Sequence, residues 1–192
     1  MKIFDCFMYF DEDLLLDLRL HYLDKFVDKF VIVECGYNHK GETKKLHFDK
    51  KKFKKFENKI HYILLKDQPQ GIERINVNDN KNQTNSKYIL NAVKRENFQR
   101  NYIKKCLSEA TGNDWILISD LDEIPNLSNV NFKNIKDKFI FFKQDMMYYK
   151  FNLKLENCSW VGTKACQMKN LESPQWLRNI KDRSYSWWRL DT

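Results

Sequence analysis

Glycine and proline are scarce in this chain, five and three among 192 residues. That scarcity excludes collagen-like and low-complexity architectures and leaves no material for long flexible linkers. There is no glycine-rich loop, which disfavours nicotinamide-dinucleotide and P-loop nucleotide binding, since both need glycines where the backbone approaches phosphate. The five cysteines, Cys6, Cys35, Cys106, Cys158 and Cys166, are scattered and form no CxxC pair. Neither a zinc site nor a disulfide framework is indicated. No window approaches the roughly 20 apolar residues that a membrane-spanning helix needs. The chain runs from Met1-Lys2 directly into a strand, with no leader-like segment. Sequons at Asn82, Asn126 and Asn157 carry little weight without an export signal, so the expected location is cytoplasmic and reducing.

What is present supports a globular fold. The chain is 42% hydrophobic and 15% aromatic, enough for a sizeable core in a single domain. Net charge is +8, and much of the excess lies in Lys44, Lys45, Lys50, Lys51, Lys52, Lys54, Lys55 and Lys59. Phe48, Phe53 and Phe56 interleave with those lysines, the pattern of an amphipathic helix with a solvated basic face. The same stretch is the place where nucleic acid or an anionic membrane surface would bind.

Strand-like and helix-like segments alternate. Residues 2–10, 30–34 and 60–65 read as strands, with a helix from Asp11 to about Lys25 whose first carboxylates suit its N-terminal dipole. Residues 67–84 read as a flexible polar loop, and a long helix is expected over about 86–111. A strand follows at 115–119, then a pairing of 139–149 with 151–158, and Ser173-Pro174 opens a short helix. This order predicts an α/β sandwich whose central sheet is mostly parallel and flanked by helices.

The richest segment is Trp115-Ile116-Leu117-Ile118-Ser119-Asp120-Leu121-Asp122-Glu123-Ile124-Pro125. A buried apolar strand runs into three carboxylates, and a proline stops it. Residues two apart in an extended chain share a side, so Asp120 and Asp122 are candidates to aim at one point beyond the strand end. Open α/β sheets bind ligands there, and a hard divalent cation is the usual answer to two convergent carboxylates. The plainer alternative is an acidic turn capping the next segment. In the long helix, Ile89, Val93, Glu96, Arg100, Ile103, Leu107 and Ala110 follow at spacings of four and three, one helical face with charges at its middle. Either Glu96 and Arg100 form a structural pair, or they lie beneath the Asp120/Asp122 tip with an arginine toward an anionic ligand.

The succession Phe4–Phe10, Asp24–Glu34, Asn38-His39-Lys40-Gly41-Glu42, Arg95–Arg100, Ser119–Pro125 and Trp160-Val161-Gly162-Thr163 resembles glycosyltransferase family 17. That family holds β-1,4-N-acetylglucosaminyltransferases, including the enzyme that adds bisecting GlcNAc to N-linked glycans. The resemblance implies a GT-A-type nucleotide-sugar fold. It places a nucleotide-sugar half in residues 1–125 and an acceptor-side half in 126–192. It also implies UDP-GlcNAc as donor, a glycan acceptor, and Mn²⁺ or Mg²⁺ at Asp120 and Asp122. Arg95, Glu96 and Arg100 would serve the diphosphate end of the cofactor site, and Glu34 is a candidate for the uridine or ribose hydroxyls. An inverting reaction needs a base, for which Glu123 and Asp145 are the candidates. Trp160 offers a surface for a sugar ring or, more plainly, a core tryptophan.

Two departures accompany the resemblance. Family members continue into a Trp-His-Phe-Ser-like segment, whereas this sequence closes on Trp187-Trp188-Arg189-Leu190-Asp191-Thr192, so a fragment or a shortened, impaired enzyme is expected. The membrane anchor of vertebrate members is also missing, although peripheral membrane contact stays open. The rivals are a metal-dependent phosphoryl-transfer hydrolase, which also uses Asp-x-Asp after a strand, and a basic nucleic-acid-binding module.

Overall fold

The computed structural model describes residues 1–149 and 152–181; the terminal segment Trp187–Thr192 lies outside the described residues. Six strands form one sheet: β1 (Ile3–Tyr9), β2 (Lys29–Cys35), β3 (Ile60–Leu65), β4 (Trp115–Ser119), β5 (Phe139–Met147) and β6 (Lys154–Gln167). Their order is β3-β2-β1-β4-β6-β5. The first four run parallel, with β1 between β2 and β4, while β6 is antiparallel to β4 and β5 is antiparallel to β6. The expected α/β sandwich is therefore present. Its parallel part ends at β4, beyond which an antiparallel hairpin extends the sheet.

Strand composition explains why the sheet is covered on both faces. In β4, Trp115 and Leu117 belong to one core cluster and Ile116 and Ile118 to the other, and all four are buried. A strand that is apolar at every position suits only a sheet buried on two sides. The first cluster is closed by α1 (Asp13–Leu23), whose Leu16, Leu20 and Leu23 are fully buried. The second is closed by the end of α2 (Lys81–Tyr102), by the 3-10 turn Ile103–Cys106, and by α3 (Pro174–Asn179) through Leu177. α3 starts at Ser173, whose hydroxyl accepts from the Trp176 amide, with Pro174 in the first turn.

Three local expectations are corrected. The Lys/Phe segment is not an amphipathic helix; only Lys54–Phe56 makes a 3-10 turn. Its phenylalanines are spaced by five and three, and they are placed by packing instead: Phe48 stacks on Tyr62 and Phe53, and Phe53 and Phe56 are buried. α2 begins earlier than expected, because Asn80 and Gln83 form a reciprocal capping box. Of the predicted stripe, Ile89 and Val93 are exposed whereas Arg100, Ile103 and Leu107 are buried, and within α2 the buried residues are Asn91, Arg95 and Arg100. Asn91 and Arg95 face the 67–80 segment, which is not loose: Asn91 bonds the Glu73 backbone in both directions, Lys94 donates to the Gly71 carbonyl and Lys87 to Asp79.

Candidate active site

The chain moves outward in one direction from β1 to β2 and β3, then returns to the other side of β1 as β4. Between the carboxyl ends of β1 and β4 lies the topological switch point, where sheets of this kind open a crevice. A cleft of about 540 Å³ occupies that place, lined among others by Tyr9, Phe10, His39, Arg95, Glu96 and Asp122. A second, of about 520 Å³, is lined by Glu123, Gln144, Asp145, Met147, Tyr149 and Trp160. Leu15, Asp120 and Asp122 line both. The tip of β4 thus stands on the boundary between two cavities.

The loop that carries these carboxylates is held from inside by Arg19, on the apolar stripe of α1. Arg19 is fully buried and forks onto Asp5 through Nε (2.8 Å) and Nη2 (2.6 Å). Its Nη1 donates to the carbonyls of Asp120 (3.0 Å), Leu121 (3.0 Å) and Glu123 (3.1 Å), and Nη2 reaches the Ser119 hydroxyl at 2.5 Å. A planar guanidinium with five donors meets carboxylate and carbonyls together, which a lysine ammonium cannot do. The turn tightens further where the Glu123 amide donates to the Asp120 carbonyl at 3.1 Å.

A second set of cations acts from the cleft side. Arg100 Nη2 donates to Asp120 Oδ1 at 2.8 Å and to Glu96 Oε1 at 2.9 Å, and its Nη1 donates to Gln175 of α3. Arg178, also on α3, donates to Asp120 Oδ2 (2.8 Å), to Glu123 Oε1 (2.7 Å) and to the Gly162 carbonyl (2.8 Å). Burial pushes the Asp120 carboxyl up, but Arg178 and Arg100 outweigh it and hold the group below the ordinary carboxylate range. Asp122 differs. Burial, then its neighbours Glu123 and Asp120, raise its pKa, and no ion pair reaches it among the described residues.

This contrast bears on a metal ion. Among the described residues no group of three or more His, Cys, Asp or Glu is set to hold one. The donor set is two carboxylates, one already neutralised by guanidiniums. It does not fit an all-protein cage; it fits a Mg²⁺-like cation that keeps waters and takes its remaining ligands from substrate phosphate. Asp122 is the carboxylate of the two that no ion pair reaches among the described residues.

The other predicted site residues take distinct places. Glu96 lines the first cleft as Arg100's partner; so does Arg95, which donates to the Gln68 side chain (2.8 Å) and the His39 carbonyl (2.9 Å). Arg95 also packs so closely on Gly41, in a left-handed conformation, that a Cβ there would lie 2.3 Å from its guanidinium. Glu34 does not line the cleft. Its carboxylate is fully buried and accepts from Lys44 (2.6 Å), the amides of His47 (2.9 Å) and Phe48 (3.3 Å), and the Tyr62 hydroxyl (2.9 Å). It anchors the segment after β2 rather than facing a ligand. Glu123 is also buried and fully engaged, taking the Asp120 amide (2.9 Å), Arg178 and the Trp160 indole N–H (2.5 Å). Asp145 is open to solvent on the second cleft and pairs with Lys154 at 2.8 Å.

A model of glycosyltransferase family 17 matches residues 1–173 of this sequence. The chain belongs to glycosyltransferase family 17. No curated protein and no solved structure matches it. Membership supports glycosyl transfer, hence a sugar donor and an acceptor. Among the described residues no helix is long and apolar enough to cross a membrane. The basic segment is in part neutralised internally, by Lys44–Glu34, Lys52–Asp13 and Lys59–Asp24 pairs, which weakens its reading as a nucleic-acid surface.

Arg19 and Arg178 are the two residues that the sequence reading missed. Arg19 had a signal: it sits with Leu16, Leu20 and Leu23 at helical core spacing, while Asp5 interrupts a buried strand. Arg178 had none, being one arginine in a six-residue helix.

Proposed function

We propose that this protein is a GT-A-type, metal-assisted inverting glycosyltransferase that moves a sugar, GlcNAc by family resemblance, from a UDP-sugar to a glycan. The observation that carries the reading is the position of Asp120 and Asp122 on the boundary of two clefts at the switch point. The donor occupies the first cleft. Phe10 and His39, nearly parallel rings with centroids 6.3 Å apart, are the aromatic surface available to a uracil. Asp122, beside Asp120, would hold Mn²⁺ or Mg²⁺, and when bound the cation would supply Lewis-acid neutralisation of the departing diphosphate. Arg100 and Arg178 keep positive potential beside Asp120 at the same end of the donor.

The acceptor occupies the second cleft. Its hydroxyl oxygen forms the bond to the anomeric carbon as the bond from that carbon to the phosphate oxygen breaks, and Asp145 takes the hydroxyl proton. Asp145 suits the task better than Glu123, whose oxygens are committed to three donors. Calorimetry with UDP, with and without Mn²⁺, on wild type and Asp122→Ala tests the reading. Wild type is expected to bind UDP tightly only with Mn²⁺, and the variant to lose that dependence. Equal binding by both proteins removes the metal role.

A further inference from the structure

The second cleft has an unusual floor. Trp160 is 40% exposed, yet its indole is not free to turn, because its N–H is held at 2.5 Å by Glu123, itself only 7% exposed. The Arg178 guanidinium sits over the indole ring at 5.9 Å and is pinned by Asp120, Glu123 and the Gly162 carbonyl. Gly162, two residues on, permits this closeness: a Cβ there would fall 2.3 Å from the Gln144 amide oxygen and 2.7 Å from the Glu123 carboxyl carbon. An exposed aromatic face fixed by a buried carboxylate and an arginine is preorganised, so little ordering entropy remains to be lost on binding.

The cations around that face are already committed. Asp120, Asp122, Glu123 and Asp145 line the cleft, and Arg100, Arg178 and Lys154 are paired with three of them, leaving Asp122 without an ion pair among the described residues. The remaining walls include Met146, Met147 and Tyr149, apolar or aromatic and well suited to ring C–H groups. A bulge between Asp145 and Met147 in the β5–β6 pairing locally re-aims this wall.

We propose that Trp160 is the acceptor-binding platform and that the acceptor is a neutral pyranose, stacked by its C–H face on the indole with a hydroxyl toward Asp145. Sugars carrying a carboxylate or phosphate at the bound residue are disfavoured, because no lysine or arginine among the described residues lines the cleft and the cations nearest it are taken by its own carboxylates. This inference rests on the proposed division of the two clefts between donor and acceptor, and it adds the class of acceptor and the residue that selects it.

Saturation-transfer NMR tests it, using methyl β-D-glucopyranoside, methyl β-D-mannopyranoside and methyl β-D-glucuronide with protein, UDP and Mn²⁺. UDP affinity is measured on the same samples. Wild type is expected to transfer saturation to ring protons of at least one neutral glycoside and several-fold less to the glucuronide. Trp160→Ala is expected to weaken the neutral glycoside about tenfold with UDP affinity unchanged. Trp160→Phe, which keeps an aromatic face and gives up the N–H bond, is expected to stay within about threefold of wild type. No neutral glycoside signal with wild type, equal binding of the glucuronide, or undiminished binding by Trp160→Ala overturns the proposal while UDP binding leaves the donor reading standing. If Trp160→Ala loses UDP as well, Trp160→Phe decides: retained glycoside binding supports the platform and its loss refutes it. Failure of wild type to bind UDP is the separate failure of the donor reading.

Discussion

Arg19 on one side and Arg100 with Arg178 on the other grip the loop after β4, with different consequences. Arg19 holds the loop by its backbone, from a site without solvent and against an equally buried Asp5. Arg100 and Arg178 hold it by its side chains, against an Asp120 whose side chain is 38% exposed. Charges in the interior must be paired, and removing one partner strands the other, whereas pairs at a cleft wall can exchange with a ligand. The inner cluster therefore sets where the carboxylates are, and the outer one sets what they see.

The largest expected effect follows from the inner cluster. Arg19→Met leaves Asp5 as an unpaired buried charge and takes one donor each from the carbonyls of Asp120, Leu121 and Glu123, at a cost of about 3–5 kcal/mol. Thermal denaturation should show a large fall in Tm, and Arg19→Met combined with Asp5→Leu should recover much of it. A small drop for the single variant would erase the distinction between the two clusters.

A smaller effect is expected outside. Arg178→Gln removes a cation from Asp120 and frees its Oδ2. Calorimetry with Mn²⁺ alone should find binding strengthened about fivefold, the worth of roughly 1 kcal/mol for one half-buried charge contact beside a cleft, with a Tm loss well below that of Arg19→Met. Unchanged Mn²⁺ binding with a Tm loss as deep as that of Arg19→Met would make Arg178 a second structural arginine.

The smallest effect sharpens how α3 is held. Lys164 donates to the Ile180 carbonyl at 2.6 Å and to the Arg178 carbonyl, and burial, then Arg178, lower its pKa to about 8. The unfolded chain, with an ordinary lysine near 10.5, binds more protons between those values, so this group's contribution to stability rises with pH from about 8 to 10.5. The Tm of wild type should rise relative to that of Lys164→Met between pH 7.5 and 9.5; a flat or falling difference contradicts the assignment.

Legibility in the sequence followed the physics of each element. The parallel strands could be read because burial on both faces leaves a continuous apolar run, as at Trp115–Ser119, and the Asp-x-Asp beyond it could be placed from strand direction alone. The Lys/Phe stretch could not, since three phenylalanines fit a helical stripe loosely while their true partners, Tyr62 and the α1 face, lie far away in sequence. α2 misled for the opposite reason. Its buried residues are polar, Asn91 and Arg95 bonded to the 67–80 segment and Arg100 to Asp120 and Gln175, and hydrophobic periodicity carries no trace of such bonds. Glu34 could be located at its strand end but not in its role, because nothing local announces that Lys44, His47 and Phe48 fold back to consume it.

The switch from parallel to antiparallel pairing at β6 has a further consequence. The wall that carries Gln144, Asp145, Met147 and Trp160 is built by two strands bonded mainly to each other, attached to the sheet along the β4 side of β6. Its outer end can lengthen, shorten or change its residues without moving the four-stranded block that fixes Asp120 and Asp122. Under the proposed division of the clefts, one half of the reaction is thereby frozen into the framework, while recognition of the other partner is left to a hairpin that evolution can revise cheaply.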